Sequence, residues 1–219
     1  MLKSDYFKKI NTYKKAYFLG FILGDGALVT NKAGTVTLTI TVHERDKYIL
    51  DEFSKDIRCS RVPYRLKNYT NEDRKLWRFT ISVKSFISHL LTIGITARKS
   101  LTAKDLTPTI PEKYKAAFLL GVYDADGSFT FSSDLNNKGR PKRQYVQIRC
   151  TEEVAQSFIT QLGINSYHIS RGDSIPNLIV GNKQEIINML SKMYYHCPVY
   201  LKRKRDKFDQ LLNQVQTIS

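Results

Sequence analysis

The sequence predicts an α+β fold in which two pseudo-symmetric αββαββα repeats pack through a shared pair of helices. Three observations carry that prediction. Residues 13–26 (YKKAYFLGFILGDG) and 114–127 (YKAAFLLGVYDADG) match at seven positions with a constant offset of 101 residues, close to half of the 219-residue chain. Such spacing describes one compact unit used twice, with an approximate twofold axis in the product. Each copy is apolar almost all the way round, which suits a helix buried on every side. After each copy, periods of two and of 3.6 residues alternate in the same order.

Residues 1–12 are a short polar lead-in. In the repeated helices, Gly20 and Gly24, then Gly121 and Ala125, place small residues four apart on one face, so two backbones can approach closely. Each helix ends in Asp-Gly, with glycine as the expected stop. Residues 34–42 then alternate as a half-buried strand, with Thr35, Thr37, Thr39 and Thr41 on one face and Val36, Leu38, Ile40 and Val42 on the other. A helix is expected over 45–56 with Ile49, Leu50 and Phe53 inward, then a hairpin with strands near 61–68 and 75–83. In the second of these, Trp77, Phe79, Ile81 and Val83 are expected inward and Arg78, Thr80 and Ser82 outward. A helix near 84–93 closes the unit.

The second half repeats the order. Residues 128–132 form a strand and a basic loop holds Lys138, Arg140 and Lys142. Residues 143–149 follow, with Arg143, Tyr145, Gln147 and Arg149 on one face. Helices are expected over 152–162 and 183–194, flanking a hairpin at 164–170 and 175–181, and a final amphipathic helix occupies 199–215. Residues 97–111 read as the linker, so the two units are 1–103 and 104–219.

Lys and Arg number 35 against 20 Asp and Glu, a net charge of +15, which favours a polyanionic partner. The plainer alternative is a generally basic protein kept soluble by its charge. Cys59, Cys150 and Cys197 are odd in number and widely spaced, so neither a disulfide framework nor a zinc site is indicated. His43, His89, His168 and His196 lack metal-ligand spacing. No signal peptide opens the chain and the apolar helices are too short for a bilayer, so an intracellular protein with no membrane partner is expected.

A strand face of Thr, Arg, Gln and Tyr suits the major groove, where Arg reads guanine and Gln reads adenine. The candidates are Thr35, Thr37, Thr39, Thr41, Arg65, Lys67, Arg74 and Arg78 in the first half. In the second they are Lys138, Arg140, Arg143, Tyr145, Gln147, Arg149 and Arg171. Each position taken singly is also readable as an ordinary solvated strand residue.

The aspartates pose an electrostatic problem. Asp25 and Asp126 end helices whose C-termini are already negative, and side-by-side packing adds their mutual repulsion. Hard divalent cations with oxygen ligands would offset this, held by both carboxylates and the carbonyls of Gly24 and Ala125. Bound Mg²⁺ can activate water and stabilise both charge and leaving oxygen in phosphodiester hydrolysis. The alternative is that each Asp-Gly merely ends a helix in a turn.

The cores of the repeat, residues 18–26 (FLGFILGDG) and 119–127 (LLGVYDADG), resemble the paired motifs of LAGLIDADG homing endonucleases in their monomeric two-repeat form. The first copy is looser, with Leu23 in place of the earlier acid and Gly24 before the final one. The resemblance spans roughly residues 10–215. It implies antiparallel sheets forming a DNA-binding saddle over a long pseudo-palindromic target, and site-specific double-strand cleavage with Mg²⁺. Mn²⁺ is the expected substitute, and Ca²⁺ is expected to support binding without cutting. It also implies a basic residue after the last helix of each half, carried here to Lys99 and Lys204. Lys202 competes with Lys204, and the run 202–207 is equally readable as a phosphate grip. The alternative on the same scaffold is an RNA maturase acting on its host intron; a third option is a DNA-binding regulator without activity. Retention of both acids favours cleavage.

Overall fold

The computed structural model describes residues 1–66, 75–97, 103–131, 144–171 and 175–216. In chain order the first repeat contains α1 (Tyr13–Asp25), β1 (Gly26–Thr30), β2 (Val36–His43), α2 (Lys47–Asp56), β3 (Tyr64–Arg65), β4 (Leu76–Ile81) and α3 (Lys84–Ile93). The second contains α4 (Glu112–Asp126), β5 (Gly127–Phe131), β6 (Gln144–Arg149), α5 (Glu152–Leu162), β7 (His168–Ser170), β8 (Asn177–Val180) and α6 (Lys183–Tyr194). A further helix, α7 (Lys202–Gln216), follows. Both repeats are αββαββα. Their sheets are antiparallel, ordered β1-β2-β4-β3 and β5-β6-β8-β7.

Local chemistry sets the helix ends. Thr12, Thr151 and Asn182 accept hydrogen bonds from the backbone N–H three residues on, capping α1, α5 and α6. Gly94 and Gly163, at φ 116° and 67°, close α3 and α5 in the left-handed conformation. The glycines after α1 and α4 behave otherwise. Gly26 and Gly127 are extended (φ −75° and −93°) and lead straight into β1 and β5, so neither is the left-handed stop expected from Asp-Gly. Their requirement is steric: a Cβ would lie 2.7 Å from Ile22 O at Gly26 and 2.4 Å from Tyr123 Cδ2 at Gly127.

The strand β1 has no assignment from sequence. It is five residues long and begins at a glycine that looks like a stop, yet it pairs with β2 from Gly26↔Ile40 to Thr30↔Val36. β3 covers two residues among those described, and β7 and β8 are shorter than the sequence pattern suggested. Val83, expected inward, is 40% exposed because β4 ends at Ile81 and the chain turns there into α3. The inner faces are as expected: Leu38, Ile40, Phe79 and Ile81 in one sheet, and Val146, Ile148, Leu178 and Val180 in the other, are all buried. A cluster of Phe7, Phe18, Phe53 and Phe86 fills the first repeat, with ring centroids 4.8–6.4 Å apart.

The two repeats join through α1 and α4. Gly20 faces the backbone of α4, where a Cβ would lie 1.9 Å from Phe118 O; Gly121 faces α1, where a Cβ would lie 2.0 Å from Tyr17 O. One helical turn on, a Cβ on Gly24 would lie 2.2 Å from that of Ala125. Further ties cross the halves. Arg203 of α7 holds the buried Asp46 at the start of α2, at 3.0 and 3.3 Å. The linker is fastened too, since Leu106, Thr107 and Ile110 are buried. Cys150 and Cys197 are buried, and burial pushes both thiols up to about 12, so they act as small core residues. No helix among the described residues is long and apolar enough to cross a membrane.

Gly20→Ala or Gly121→Ala forces a methyl into opposing backbone, which cannot swing aside as a side chain can. Each is expected to reduce stability by at least ~3 kcal/mol, the upper end of overpacking in cores. Urea unfolding checks this, with Gly181→Ala as the reference, a position outside the left-handed region where a Cβ would come no nearer than 4.0 Å to Gln144 O.

Candidate functional site

The parallel descent of α1 and α4 brings their last residues to one seam. Both helices are buried along most of their length, but Asp25 and Asp126 at their ends are exposed. The seam is narrow there: a Cβ on Gly24 would lie 2.9 Å from Asp126 Oδ2, so the carboxylate of one helix reaches the end of the other. A cleft of about 300 Å³ opens beside it, lined by Leu23, Gly24, Asp126, Arg149, Cys150 and Thr151 among others. Among the described residues no three His, Cys, Asp or Glu side chains gather as a metal cluster. At the seam two exposed carboxylates, Asp25 and Asp126, end the two helices.

Beneath the seam lies a second layer of charge. Lys204 is buried, and its ammonium donates to the carbonyls of Tyr123 (2.5 Å), Asp124 (2.8 Å) and Gly127 (2.6 Å). Tyr123 and Asp124 stand in the last turn of α4 and Gly127 opens β5, so the lysine sits at the negative end of that helix. Burial lowers Lys204 to about 8, while Asp124 and, more weakly, Asp25 pull it back up. Lys202, its competitor for this place, instead lies over the ring of Tyr48 at 5.1 Å. Lys99 lies outside the described residues.

Asp124 carries no assignment from the sequence. It is buried, and its Oδ2 accepts from the Tyr17 hydroxyl (2.8 Å) and from the Leu201 N–H (2.7 Å), while Oδ1 has no hydrogen-bond partner among the described residues. Burial raises it to about 6, partly opposed by Lys204 and these two donors. The 101-residue offset pairs Asp124 with Leu23 and Tyr17 with Phe118. The seam is thus polar at one of its two equivalent places and apolar at the other. That offset was the available signal, because it shows an acid opposite a leucine.

The outer sheet faces hold the other candidates. Thr37, Thr39 and Thr41 are half-exposed on β2, and Thr35 precedes the strand. Arg78 stands opposite Thr41 and donates to its Oγ1 at 3.1 Å. Tyr64 joins that rung, whereas Arg65 shares one with Trp77 and so lies on the other face of its hairpin. In the second sheet, Tyr145 and Gln147 are half-exposed and Arg149 is exposed. Gln147 Nε2 donates to Asn177 Oδ1 at 2.9 Å. Arg171 pairs with Glu152 at 2.7 Å, an exposed contact of little energetic weight. Lys67, Arg74, Lys138, Arg140 and Arg143 lie outside the described residues. Thr80 and Asn177, also on these faces, are legible only through strand pairing.

No protein-family model and no curated protein matches the chain. Solved structures do. The chain is similar to the I-LtrWI LAGLIDADG homing endonuclease bound to target DNA, at 13% identity and a TM-score of 0.64, covering 94% of this chain and 91% of that one. It is similar to the LAGLIDADG meganuclease I-AabMI bound to uncleaved DNA, at 12% identity and 0.59, covering 92% and 90%. It is also similar to I-SmaMI bound to uncleaved DNA target in the presence of calcium ions, at 13% and 0.60, covering 93% of each. The chain has the fold of the LAGLIDADG homing endonucleases in its two-repeat form.

The raised Asp124 sets a pH dependence. Its folded value exceeds that of an unfolded carboxyl, so its contribution to stability is fully present below about pH 4 and is lost as pH rises through about 6. The stability of wild type relative to Asp124→Asn should fall by on the order of 2–3 kcal/mol across that window and level off above about pH 7. Chemical denaturation in steps of pH measures it, and a flat difference would contradict the assignment.

Proposed function

We propose that the chain is a site-specific double-strand DNA endonuclease, a homing endonuclease that hydrolyses phosphodiester bonds with a divalent cation and acts as a monomer of two lobes (1–103 and 104–219). The observation that carries this reading is the pair of exposed aspartates ending two buried, backbone-contacting helices. A fold shared with DNA-bound endonucleases supports it.

The donor set fits a hard cation. Asp25 and Asp126 are carboxylates at one seam, and the three carbonyls that Lys204 takes do not include Ala125. Asp25, Asp126 and the carbonyls of Gly24 and Ala125 would hold the ion with oxygen alone, which suits Mg²⁺, with Mn²⁺ as substitute, and equally admits Ca²⁺. When bound, it supplies activated water and charge stabilisation at the scissile phosphate. The calcium ions present with I-SmaMI on uncleaved DNA support a divalent requirement.

The chain's own residues supply position and field. The glycine seam fixes where the carboxylates stand, which is a precondition for acting on two strands at a set spacing. Lys204, with its hydrogens directed to three backbone carbonyls, acts as a fixed positive charge under the acids. The outer sheet faces, with Arg78 and Arg149 closest to the seam, grip and read the duplex.

Cleavage of a plasmid library of random sites in Mg²⁺, with Ca²⁺ as control, tests the proposal. Asp25→Asn and Asp126→Asn should each abolish double-strand cutting, by at least ~1000-fold, the scale expected when a group needed for charge stabilisation is removed. Retention of the same duplexes in Ca²⁺ by both variants should stay within a few-fold of wild type. Full cutting by either variant would overturn the assignment.

A further inference from the structure

Residues 201–204 lead into and begin α7, and each of them is held by a different group. The Leu201 N–H donates to Asp124, and the Lys202 N–H to the Tyr48 hydroxyl at 2.5 Å. Arg203 Nε donates to both carboxylate oxygens of Asp46, and Lys204 to the three carbonyls where α4 ends and β5 begins. The Tyr48 hydroxyl in turn donates to Tyr200 O at 3.1 Å, and the Lys202 ammonium lies over its ring. Asp46 and Tyr48 belong to the first repeat, 157 and 154 residues before Arg203 and Lys202.

An aspartate just before a helix commonly accepts from that helix's own first N–H groups. Asp46 stands in that position before α2 and makes no such bond. It is buried, and both its oxygens go to Arg203 instead, with the exposed Arg45 4.0 Å away. A buried carboxylate is costly unless paired and hydrogen-bonded, so the partner from the other repeat is what holds it there. Thr151 occupies the equivalent position before α5 and does cap its helix, accepting from the Val154 N–H. Its hydroxyl donates to Ala103 O at 2.7 Å. In both repeats, then, the start of this helix meets the segment that follows the other repeat's closing helix. The contact is ionic at Asp46 and neutral at Thr151.

We infer that Asp46 and Tyr48 of the first repeat are positioning residues for cleavage at the second repeat's acid. They fix the first turn of α7 and, through Lys204, the end of α4 that carries Asp126. None of the three carbonyls that Lys204 takes belongs to α1, so the helix supported is that of Asp126 rather than that of Asp25. Loss of the Asp46 contact therefore bears on one strand's phosphate more than on the other's. This rests on the endonuclease reading and adds to it a dependence of one repeat's chemistry on the other's scaffold.

The test uses a duplex recovered from the library of random sites, end-labelled on each strand in turn and cut by saturating enzyme in Mg²⁺. Asp46→Asn and Arg203→Gln should slow cutting of the same single strand on the order of 100-fold, the scale of a misplacement of about 1 Å. Nicked duplex then accumulates. The rate on the other strand and retention of the duplex in Ca²⁺ should match wild type. Arg203→Lys, which keeps a cation at Asp46, should recover most of the lost rate. Tyr48→Phe, which removes the hydroxyl and keeps the ring, should slow the same strand. A merely structural role would instead lower both cuts and Ca²⁺ retention together. Slowing of both strands alike, or of neither, would overturn this inference and leave the endonuclease reading standing. A library in which the wild-type chain cuts no site would overturn both.

Discussion

The structure depends on one contact, the backbone-to-backbone approach of α1 and α4 at Gly20 and Gly121. With room for hydrogen only, each glycine lets the other helix's carbonyl sit where a side chain would begin. This closeness makes both helices apolar all round, because neither has a solvated side over most of its length. It also brings two helix C-termini, and the acids that end them, to one place. A wider crossing with larger residues would bury as much surface and leave the carboxylates apart.

The closeness has an electrostatic consequence that the protein answers in layers. Two negative helix ends and two carboxylates converge, and the described charges beneath them are arranged in opposition. Lys204 donates to the end of α4 from below, and Asp124 faces it while accepting from Tyr17 and Leu201. A buried acid and a buried base, one raised and one lowered by desolvation, are an expensive pair unless their hydrogen bonds are good. Their value lies in location. They fasten α1, α4 and the start of α7 to one another at the level where the two aspartates emerge.

The repeats have drifted apart where symmetry is not needed. Tyr17 and Asp124 meet across the seam, while their counterparts Phe118 and Leu23 provide an apolar version of the same junction. The two arginines next to the seam keep their rung but sit on different strands. Core positions are conserved in kind between the halves, because each sheet must bury the same face against helices. The outer faces are free of that demand, and among the described residues they differ rung by rung, as Thr39 does from Gln147.

Much of this was legible in the residues themselves. The offset repeat, the small-residue spacing and the alternation of threonine with aliphatic residues fix the helix pair, the order of elements and the inner faces, since each is a local pattern with a set period. The aspartates were legible for the same reason. What the chain alone did not decide was everything set by long-range pairing. Strand β1 is recognisable only once β2 is beside it, and Arg65 leaves the face of Arg78 because of register. Lys204 finds its three carbonyls, and Asp124 finds Tyr17, across 77 to 107 residues of sequence. Such contacts have no period to betray them. Tertiary packing chooses them by satisfying buried charges with whichever hydrogen-bonding groups the fold delivers.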